Sequence, residues 1–192
     1  GMVVGLGTGS TAVWAIRHLA ELMARGTLTD ILAIPTSEAT EREARRLKIP
    51  LITLEDHPLL DLVIDGADEV DPDLNLIKGG GGALLREKIV AQASKRLIIT
   101  VDESKLSSQL GEQRAVPVEV APFGWKTQQQ FLEDLGAVVT LRTRPDESIF
   151  VTDQHNYILD CRFGPICNGV GLAQRLKNRT GIVEHGLFLN MA

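Results

Sequence analysis

Short apolar runs and helical repeats alternate through the first 110 residues of the chain. The apolar runs, rich in Val, Ile and Leu, predict strands at residues 2–5, 31–35, 51–54, 62–65 and 97–101. Apolar positions at helical spacing predict a first helix that ends at Gly26, a charged helix at residues 38–47 and a third at residues 83–94. This alternation indicates an α/β fold, a parallel sheet with helices on both faces, whose ligands bind at the carboxyl ends of the strands.

The pattern changes near Pro117. The predicted elements of this part are strands at residues 116–120, 137–142 and 182–189, a hairpin of residues 149–152 and 157–161, and helices at residues 126–135 and 171–178. We interpret this succession as the β-α-β-β-α-β order of a ferredoxin-like α+β domain. The predicted domains are therefore residues 1–115 and residues 116–192. Since both ends of the chain fall in or close to a strand, we expect parts of a complete domain to be missing at each end.

Composition and charge are those of a globular protein with a core, at 44% apolar and 23% charged residues. The net charge of −5 and the scattered basic residues give no support for nucleic-acid binding. No apolar run approaches the roughly 20 residues of a membrane span, and no signal peptide is visible. The two cysteines, Cys161 and Cys167, are too few for a disulfide framework, so we expect a cytoplasmic protein that binds neither nucleic acid nor membranes.

A glycine-rich loop follows the first strand and consists of Gly7, Thr8, Gly9, Ser10 and Thr11. Glycines let the backbone approach a ligand, and hydroxyls beside a helix N-terminus suit a phosphate group. The loop matches neither the GxGxxG dinucleotide fingerprint nor the GK[ST] of a P-loop, so a sugar phosphate is favoured over a nucleotide. A plain strand–helix turn with Ser10 as the N-cap is an alternative interpretation.

Two carboxylates follow the fourth predicted strand. Asp65 ends this apolar strand, and Asp68 lies three residues further on. We expect both side chains to face one pocket across a turn. An acidic surface turn is an alternative interpretation, and so is a metal site, although EF-hand spacing is absent and no histidine is nearby.

Lys78 and Glu87 flank a run of four glycines, Gly79, Gly80, Gly81 and Gly82. Such a run lets backbone N–H groups approach an anion ahead of a helix N-terminus. Glu87 falls in the first turns of the predicted helix, where the helix dipole stabilises any carboxylate, so the position also fits a purely structural glutamate. Together with the preceding aspartates, the segment is interpreted as an active site for a small anionic substrate.

Four motifs resemble those of ribose-5-phosphate isomerases of the A type, and the resemblance covers nearly the full chain. The motifs are GLGTGST at residues 5–11, DGADEVD at 65–71, KGGGGALLREK at 78–88 and VDESK at 101–105. The resemblance implies a Rossmann-like α/β domain with a smaller ferredoxin-like α+β domain. It also implies the interconversion of ribose 5-phosphate and ribulose 5-phosphate in the non-oxidative pentose phosphate pathway, without a metal or a cofactor.

The resemblance further implies a role for each candidate residue. Glu87 would be the general base that moves a proton between C1 and C2 through an enediolate. Asp65 would assist opening of the furanose ring, and Asp68 would bind substrate hydroxyls. Lys78 and the backbone N–H groups of residues 79–82 would stabilise the enediolate. The residues expected to hold the 5-phosphate are Ser10, Thr11 and Lys105, and Gly7, Thr8 and Gly9 of the same loop are also expected to bind the substrate.

Members of the family form dimers or tetramers, so we expect a homodimer or a homotetramer. Two other functions stay open: a non-catalytic sugar-phosphate sensor, because fold alone does not fix function, and an isomerase of a related pentose or hexose phosphate. Such a sensor needs a helix-turn-helix, and none is visible, whereas all four candidate catalytic residues are present. The isomerase is therefore the favoured interpretation.

Overall fold

Five α-helices and eleven strands form the structure, a computed structural model that describes residues 1–192. The helices are α1 (Ala12–Ala24), α2 (Glu38–Arg46), α3 (Leu84–Gln92), α4 (Trp125–Asp134) and α5 (Gly169–Lys177). The strands are β1 (Met2–Leu6), β2 (Ile31–Pro35), β3 (Leu62–Asp65), β4 (Glu69–Val70), β5 (Leu76–Ile77), β6 (Leu97–Ile99), β7 (Val116–Val120), β8 (Val138–Leu141), β9 (Tyr157–Arg162), β10 (Ile182–His185) and β11 (Leu187–Phe188).

The chain divides into two compact units that are interleaved along the sequence. Unit 1 consists of Gly1–Gly66, Arg86–Asp102 and Met191–Ala192, and unit 2 consists of Ala67–Leu85 and Glu103–Asn190. The predicted boundary between residues 115 and 116 instead separates two continuous segments, and it stays a prediction. Every helix is too short or too polar to cross a bilayer.

Unit 1 contains a parallel sheet with the strand order β2-β1-β3-β6. An isolated parallel bridge between Ala33 and Leu51 extends the sheet beyond β2. The predicted strand at residues 51–54 is wrong, since only Leu51 pairs. If Leu51 is counted as a strand and the five parallel elements are numbered in chain order, the order across the sheet is 3-2-1-4-5, which is that of a doubly wound fold. The direction of the numbering reverses between β1 and β3. At such a reversal the carboxyl ends of the strands border a crevice for ligands.

Helices cover both faces of this parallel sheet, which confirms the predicted α/β architecture. Successive side chains of a strand point to opposite faces, and Val3 and Val4 accordingly pack in different hydrophobic clusters. The cluster around Val4 includes Ile16 of α1 and Ala44 of α2, whereas the cluster around Val3 includes Val90 of α3. Helices α1 and α2 therefore lie on one face and α3 on the other.

Unit 2 contains an antiparallel sheet with the strand order β10-β7-β9-β8. The succession β7-α4-β8-β9-α5-β10 is the β-α-β-β-α-β order of a ferredoxin-like fold, so this prediction is confirmed. Alternate residues of β7, namely Val116, Val118 and Val120, face a core that also contains Leu132 of α4 and Leu176 of α5. One face of the sheet is thus packed against the two helices.

The predicted strand at residues 149–152 is absent. Ile149 makes only an isolated bridge to Thr143, and the Phe150 N–H donates to the Arg142 carbonyl at 2.9 Å. Strand β8 already pairs with β9 along its length, so residues 149–152 fold back against the end of β8 instead. The partner of β9 in this part of the chain is therefore β8.

The predicted last strand at residues 182–189 is divided at Gly186. Its N–H donates to the Pro117 carbonyl at 2.7 Å, and its own carbonyl accepts the Lys78 N–H at 2.9 Å. Before Gly186 the chain forms β10, which pairs with β7. After Gly186 it forms β11, which pairs with β5 in a small sheet of order β11-β5-β4. Strands β4 and β5 are not among the predicted strands, because two-residue strands show no periodicity.

Leu132 provides a test of the core of unit 2, in which its side chain is fully buried. Leu132→Ala leaves a cavity, so we expect it to lower the free energy of unfolding by about 2–5 kcal/mol. Val138→Ala is the control, because Val138 is 71% exposed on β8. There we expect a change within about 0.5 kcal/mol. Denaturant unfolding followed by circular dichroism measures both, and equal losses would contradict the assigned core.

Candidate active site

Asp65, the last residue of β3, holds the glycine-rich loop that follows β1. Its buried carboxylate accepts hydrogen bonds at Oδ1 from the N–H groups of Thr8 at 3.0 Å and Gly66 at 2.8 Å. A Cβ atom at Gly7 would overlap this carboxylate, so glycine is required there. Since β1 and β3 are neighbours, the loop and Asp65 meet at the crevice end of the parallel sheet.

A cluster of hydroxyl groups connects the same loop to the segment after β2. Thr8 Oγ1 lies 2.8 Å from both Thr36 Oγ1 and Ser37 Oγ. It also lies 3.1 Å from Thr40 Oγ1, and Thr40 donates to the Gly7 carbonyl at 2.9 Å. The Thr8 hydroxyl therefore supports the loop from within. This cluster is not among the predicted features, although hydroxyl residues grouped directly after a strand are a usable signal.

Ser10 and Thr11 lie immediately before α1, which begins at Ala12. Thr11 is the N-cap residue and makes no capping hydrogen bond through its side chain, so the interpretation of Ser10 as the N-cap is wrong. Ser10 is exposed, and Gly9 adopts a φ of 112° that lets the loop turn into the helix. Two hydroxyls and the N–H groups of a helix start are the groups that bind a phosphate.

Glu87 lies in the first turn of α3, as predicted, and its side chain is only 4% exposed. Burial of a carboxylate is unfavourable, and the positive end of the helix dipole offsets part of that cost. Buried ionisable groups of this kind are concentrated at functional sites. Within unit 1, the groups suited to chemistry are therefore Glu87, Asp65 and the loop after β1.

In unit 2, Asp68 and the glycine run form one hydrogen-bonded group. Asp68 Oδ2 accepts the N–H of Gly80 at 2.7 Å. Gly82 donates its N–H to the Gly79 carbonyl at 2.9 Å, which closes a turn with Gly80 and Gly81 at its centre. A Cβ atom at Gly80 would overlap the Asp68 carboxylate. The DGADE and KGGGG motifs therefore meet through this contact.

Lys78 directly precedes the turn, and its side chain is 3% exposed. Its N–H donates to the Gly186 carbonyl at 2.9 Å. Its ammonium lies 5.5 Å from the ring centre of Phe188, and the face of an aromatic ring at this distance stabilises a buried cation. The structure thus holds a positive charge in a protected position next to the glycine run.

Glu69, the neighbour of Asp68, is a structural carboxylate. It is fully buried and accepts the N–H groups of Gly111 at 3.2 Å, Gln113 at 3.3 Å and Arg114 at 3.0 Å. Adjacent residues of an extended segment point in opposite directions, so Asp68 reaches the glycine turn while Glu69 reaches the loop at residues 111–114. Asp65, Asp68 and Glu69 therefore have different tasks.

Arg142 contacts the glycine run from the end of β8. Its Nη1 atom donates to the carbonyls of Gly79 at 2.9 Å and Gly80 at 3.1 Å. Arg142 is not among the predicted site residues, because more than 60 positions separate it from the glycines and no motif surrounds it.

The remaining candidate features are Lys105 and the possible metal site. Lys105 ends a short 3-10 helix (Glu103–Lys105) of unit 2 and is half-buried. No group of three or more His, Cys, Asp or Glu side chains is arranged to hold a metal ion. A groove of about 430 Å³ in unit 2 has Asp71, Cys167 and Leu189 among its walls and includes none of the candidate site residues.

Known sequences identify the relatives of this chain. The family profile described as ribose 5-phosphate isomerase A (phosphoriboisomerase A) matches residues 32–192. Ribose-5-phosphate isomerase A of Desulfatibacillum aliphaticivorans is 59% identical over 189 residues, which are 98% of this chain and 82% of that protein. The corresponding protein of Chloroflexus aurantiacus is 56% identical over 192 residues, 100% of this chain and 80% of the relative.

Solved structures show the same similarity. Ribose 5-phosphate isomerase from Plasmodium falciparum superimposes with a TM-score of 0.96 at 47% identity, covering 100% of this chain and 83% of that one. A D-ribose-5-phosphate isomerase in complex with phospho-erythronic acid gives a TM-score of 0.97 at 39% identity, with coverage of 100% and 84%. The full length of the present chain thus shares the fold of these enzymes.

Two adjacent carboxylates provide a test of the roles assigned in unit 2. Glu69→Gln places an amide against three backbone N–H donors, so we expect it to lower the free energy of unfolding by about 1–3 kcal/mol. Asp68→Asn retains an oxygen for the Gly80 N–H, so we expect a loss of about 1 kcal/mol or less. Urea unfolding of both variants measures the difference. A larger loss in Asp68→Asn would show that Glu69 is not the structural member of the pair.

Proposed function

The chain belongs to the ribose 5-phosphate isomerase A family, and we propose how its residues interconvert D-ribose 5-phosphate and D-ribulose 5-phosphate. The observation that carries the proposal is a carboxylate, Glu87, that is buried in the first turn of α3. A place in the pentose phosphate pathway and a cytoplasmic location stay predictions.

The reaction moves one proton between C1 and C2, so it needs a base that first accepts the proton and then returns it. We assign this role to Glu87. A buried carboxylate is shielded from bulk water, and it can hold the proton until it is delivered to the neighbouring carbon. The same division of labour, with a glutamate base and a separate electrophilic group, serves triosephosphate isomerase on another fold.

Removal of the proton leaves an enediolate, whose negative oxygen requires stabilisation. We assign this task to Lys78 and to the N–H groups of Gly79 and Gly81, while the N–H groups of Gly80 and Gly82 hold the turn through Asp68 and the Gly79 carbonyl. A charge and oriented N–H dipoles act more strongly in a site with little water, and the burial of Lys78 supplies such surroundings. The hydrogen bonds that fix the turn orient these donors before substrate binds.

The two aspartates are proposed to act on the sugar. Asp65 is held by the N–H groups of Thr8 and Gly66, and we assign to it proton transfer during opening of the furanose ring. Asp68 is fixed by the Gly80 N–H, and we assign to it the binding of substrate hydroxyls. A carboxylate oriented by backbone donors presents its remaining acceptor positions in a constant direction.

The 5-phosphate is proposed to bind at the hydroxyls of Ser10 and Thr11, at the start of α1, and at Lys105. Gly7, Thr8 and Gly9 shape this loop, and the Thr8 hydroxyl acts through the hydroxyl cluster instead of contacting phosphate. Phospho-erythronic acid, the molecule bound in a solved relative, combines a phosphate with a carboxylate that resembles the two oxygens of an enediolate. We propose that it binds this chain at the same groups.

Glu87→Gln tests the assignment of the base. The amide has nearly the shape of the carboxylate but does not accept the proton, so we expect kcat to fall roughly 10²–10⁴-fold. We expect KM to change by less than about threefold, because binding groups are untouched. Ketose formation from ribose 5-phosphate, followed by absorbance with EDTA present, gives both constants.

Glu55→Gln is the matched control, since Glu55 is an exposed glutamate of unit 1 outside all four motifs. Near-normal turnover in Glu87→Gln would remove Glu87 from the role of base. An inactive wild-type protein would contradict the proposed function itself.

We further propose that the chain is a homodimer or a homotetramer. Unit 2 carries large apolar side chains in strongly exposed positions, with Phe123 at 96% exposure and Val170 also exposed. Exposed apolar surface of this kind is typical of contact sites. Light scattering at micromolar concentration should give at least twice the chain mass of 20.9 kDa. A monomeric mass would contradict this proposal.

A further inference from the structure

The glycine turn of unit 2 has a geometry that its sequence alone does not fix. The Gly82 N–H donates to the Gly79 carbonyl at 2.9 Å, so residues 79–82 form a β-turn. Neither Gly80 nor Gly81 has a positive φ, as expected for a type I turn. A type II turn requires a positive φ at the third residue, which glycine adopts readily. Four glycines are therefore compatible with both turns.

These two turns differ in the direction of their middle peptide group, which joins Gly80 to Gly81. A flip of that group exchanges the positions of the Gly80 carbonyl and the Gly81 N–H, because the two point in opposite directions from a planar trans peptide. The flip would replace a hydrogen-bond donor with an acceptor on one side of the turn. For a site that stabilises an anion, the flip would turn attraction into repulsion.

Arg142 binds the carbonyl groups on one side of this turn. Its Nη1 atom donates to the Gly79 carbonyl at 2.9 Å and to the Gly80 carbonyl at 3.1 Å. The second of these bonds holds the middle peptide. The Arg142 side chain is 14% exposed, so these charge-assisted bonds are largely protected from water.

Two further residues fix the guanidinium of Arg142. Asp160 of β9 binds it in a bidentate manner, with Nε donating to Oδ2 at 2.9 Å and Nη2 donating to Oδ1. The ring centre of Phe150 lies 5.8 Å from the guanidinium carbon, and the same ring fills the space at Gly82 where a Cβ atom would lie. A planar, five-donor group is needed to satisfy Asp160 and both carbonyls at once.

The opposite side of the turn carries the N–H groups. The Gly80 N–H belongs to the peptide whose carbonyl faces Arg142, and it donates to Asp68 Oδ2 at 2.7 Å. By the same geometry, the Gly81 N–H points away from Arg142, toward the side occupied by Asp68. Asp68 is the residue to which we assign binding of substrate hydroxyls.

We propose that Arg142 is a positioning residue that holds the middle peptide of the glycine turn, so that the Gly81 N–H faces the oxygen that becomes negative during isomerisation. The proposal rests on the proposed function of the glycine run as an enediolate-binding element. Arg142 itself touches no reacting atom. It acts by keeping carbonyl oxygens on its own side and a donor on the substrate side.

Arg142→Lys tests the proposal. Lysine retains a positive charge near Asp160 but lacks the planar fork that reaches both carbonyls. The contact between the Gly81 N–H and the negative oxygen stabilises the transition state more than the bound substrate. We therefore expect kcat to fall about 10- to 100-fold while KM changes by less than about threefold. Affinity for phospho-erythronic acid, measured by calorimetry, should fall by a factor similar to that of kcat.

Arg144→Lys is the matched control, because Arg144 also lies beside the Phe150 ring but is exposed and bonds to no glycine of the turn. Its kcat should stay within about twofold of the wild-type value. Asp160→Asn is a second comparison, because it keeps Arg142 but weakens the bidentate contact that fixes the guanidinium. We expect its kcat to fall by less than that of Arg142→Lys.

Thermal unfolding of each variant separates positioning from stability. The proposal is overturned if Arg142→Lys retains wild-type kcat in an active wild-type background, or if KM rises while kcat is unchanged. It is also overturned if Asp160→Asn lowers kcat as much as Arg142→Lys does at a similar Tm, because the ion pair would then be responsible. Arg142→Gln, for which the same loss is expected, replaces Arg142→Lys if the latter does not fold. Inactivity of the wild type would instead contradict the proposed function.

Discussion

Close contact between a carboxylate and a glycine backbone is the constraint on which the proposed chemistry depends in both units. Asp65 is bound by the N–H groups of Thr8, which follows Gly7, and of Gly66, and Asp68 is bound by the N–H of Gly80. At Gly7 and at Gly80 a side chain would overlap the carboxylate. The glycines of the two motifs are therefore not only flexible connectors. They allow each acid to be oriented by backbone donors, which removes the freedom that a surface aspartate has.

Three of the candidate residues carry charged groups that the fold buries. Asp65, Lys78 and Glu87 all have side chains that are almost inaccessible to solvent. Buried charges contribute little to stability compared with well-packed apolar groups, because desolvation offsets most of the attraction. Burial alone does not mark a catalytic residue, since Glu69 is also fully buried and has a structural role. The same low exposure makes each charge more effective toward a bound substrate, since less water screens it.

The sequence predicts those parts of the fold and the site that depend on local signals. The apolar run before Asp65 marks β3, and the position of Glu87 in the first turn of α3 follows from the helix pattern. The different roles of Asp68 and Glu69 depend on the pairing of two-residue strands. A sequence pattern over two residues is too short to show which of two neighbouring acids points to the glycine turn. Arg142 depends on contacts over 60 positions away. Such features require the tertiary structure, because the residues concerned have no local signature.

The register of the antiparallel sheet explains why Arg142 reaches the glycine turn. In the ladder of β8 and β9, Thr140 pairs with Asp160, and the Arg142 N–H donates to the Ile158 carbonyl at 2.9 Å. Arg142 and Asp160 are thus diagonal neighbours on one face of the sheet, a spacing that long side chains bridge. A slip by one residue would move Arg142 to the other face and leave the glycine carbonyls without their donor. The ferredoxin-like sheet therefore does more than form a core: its strand register determines which way the peptides of the glycine turn point.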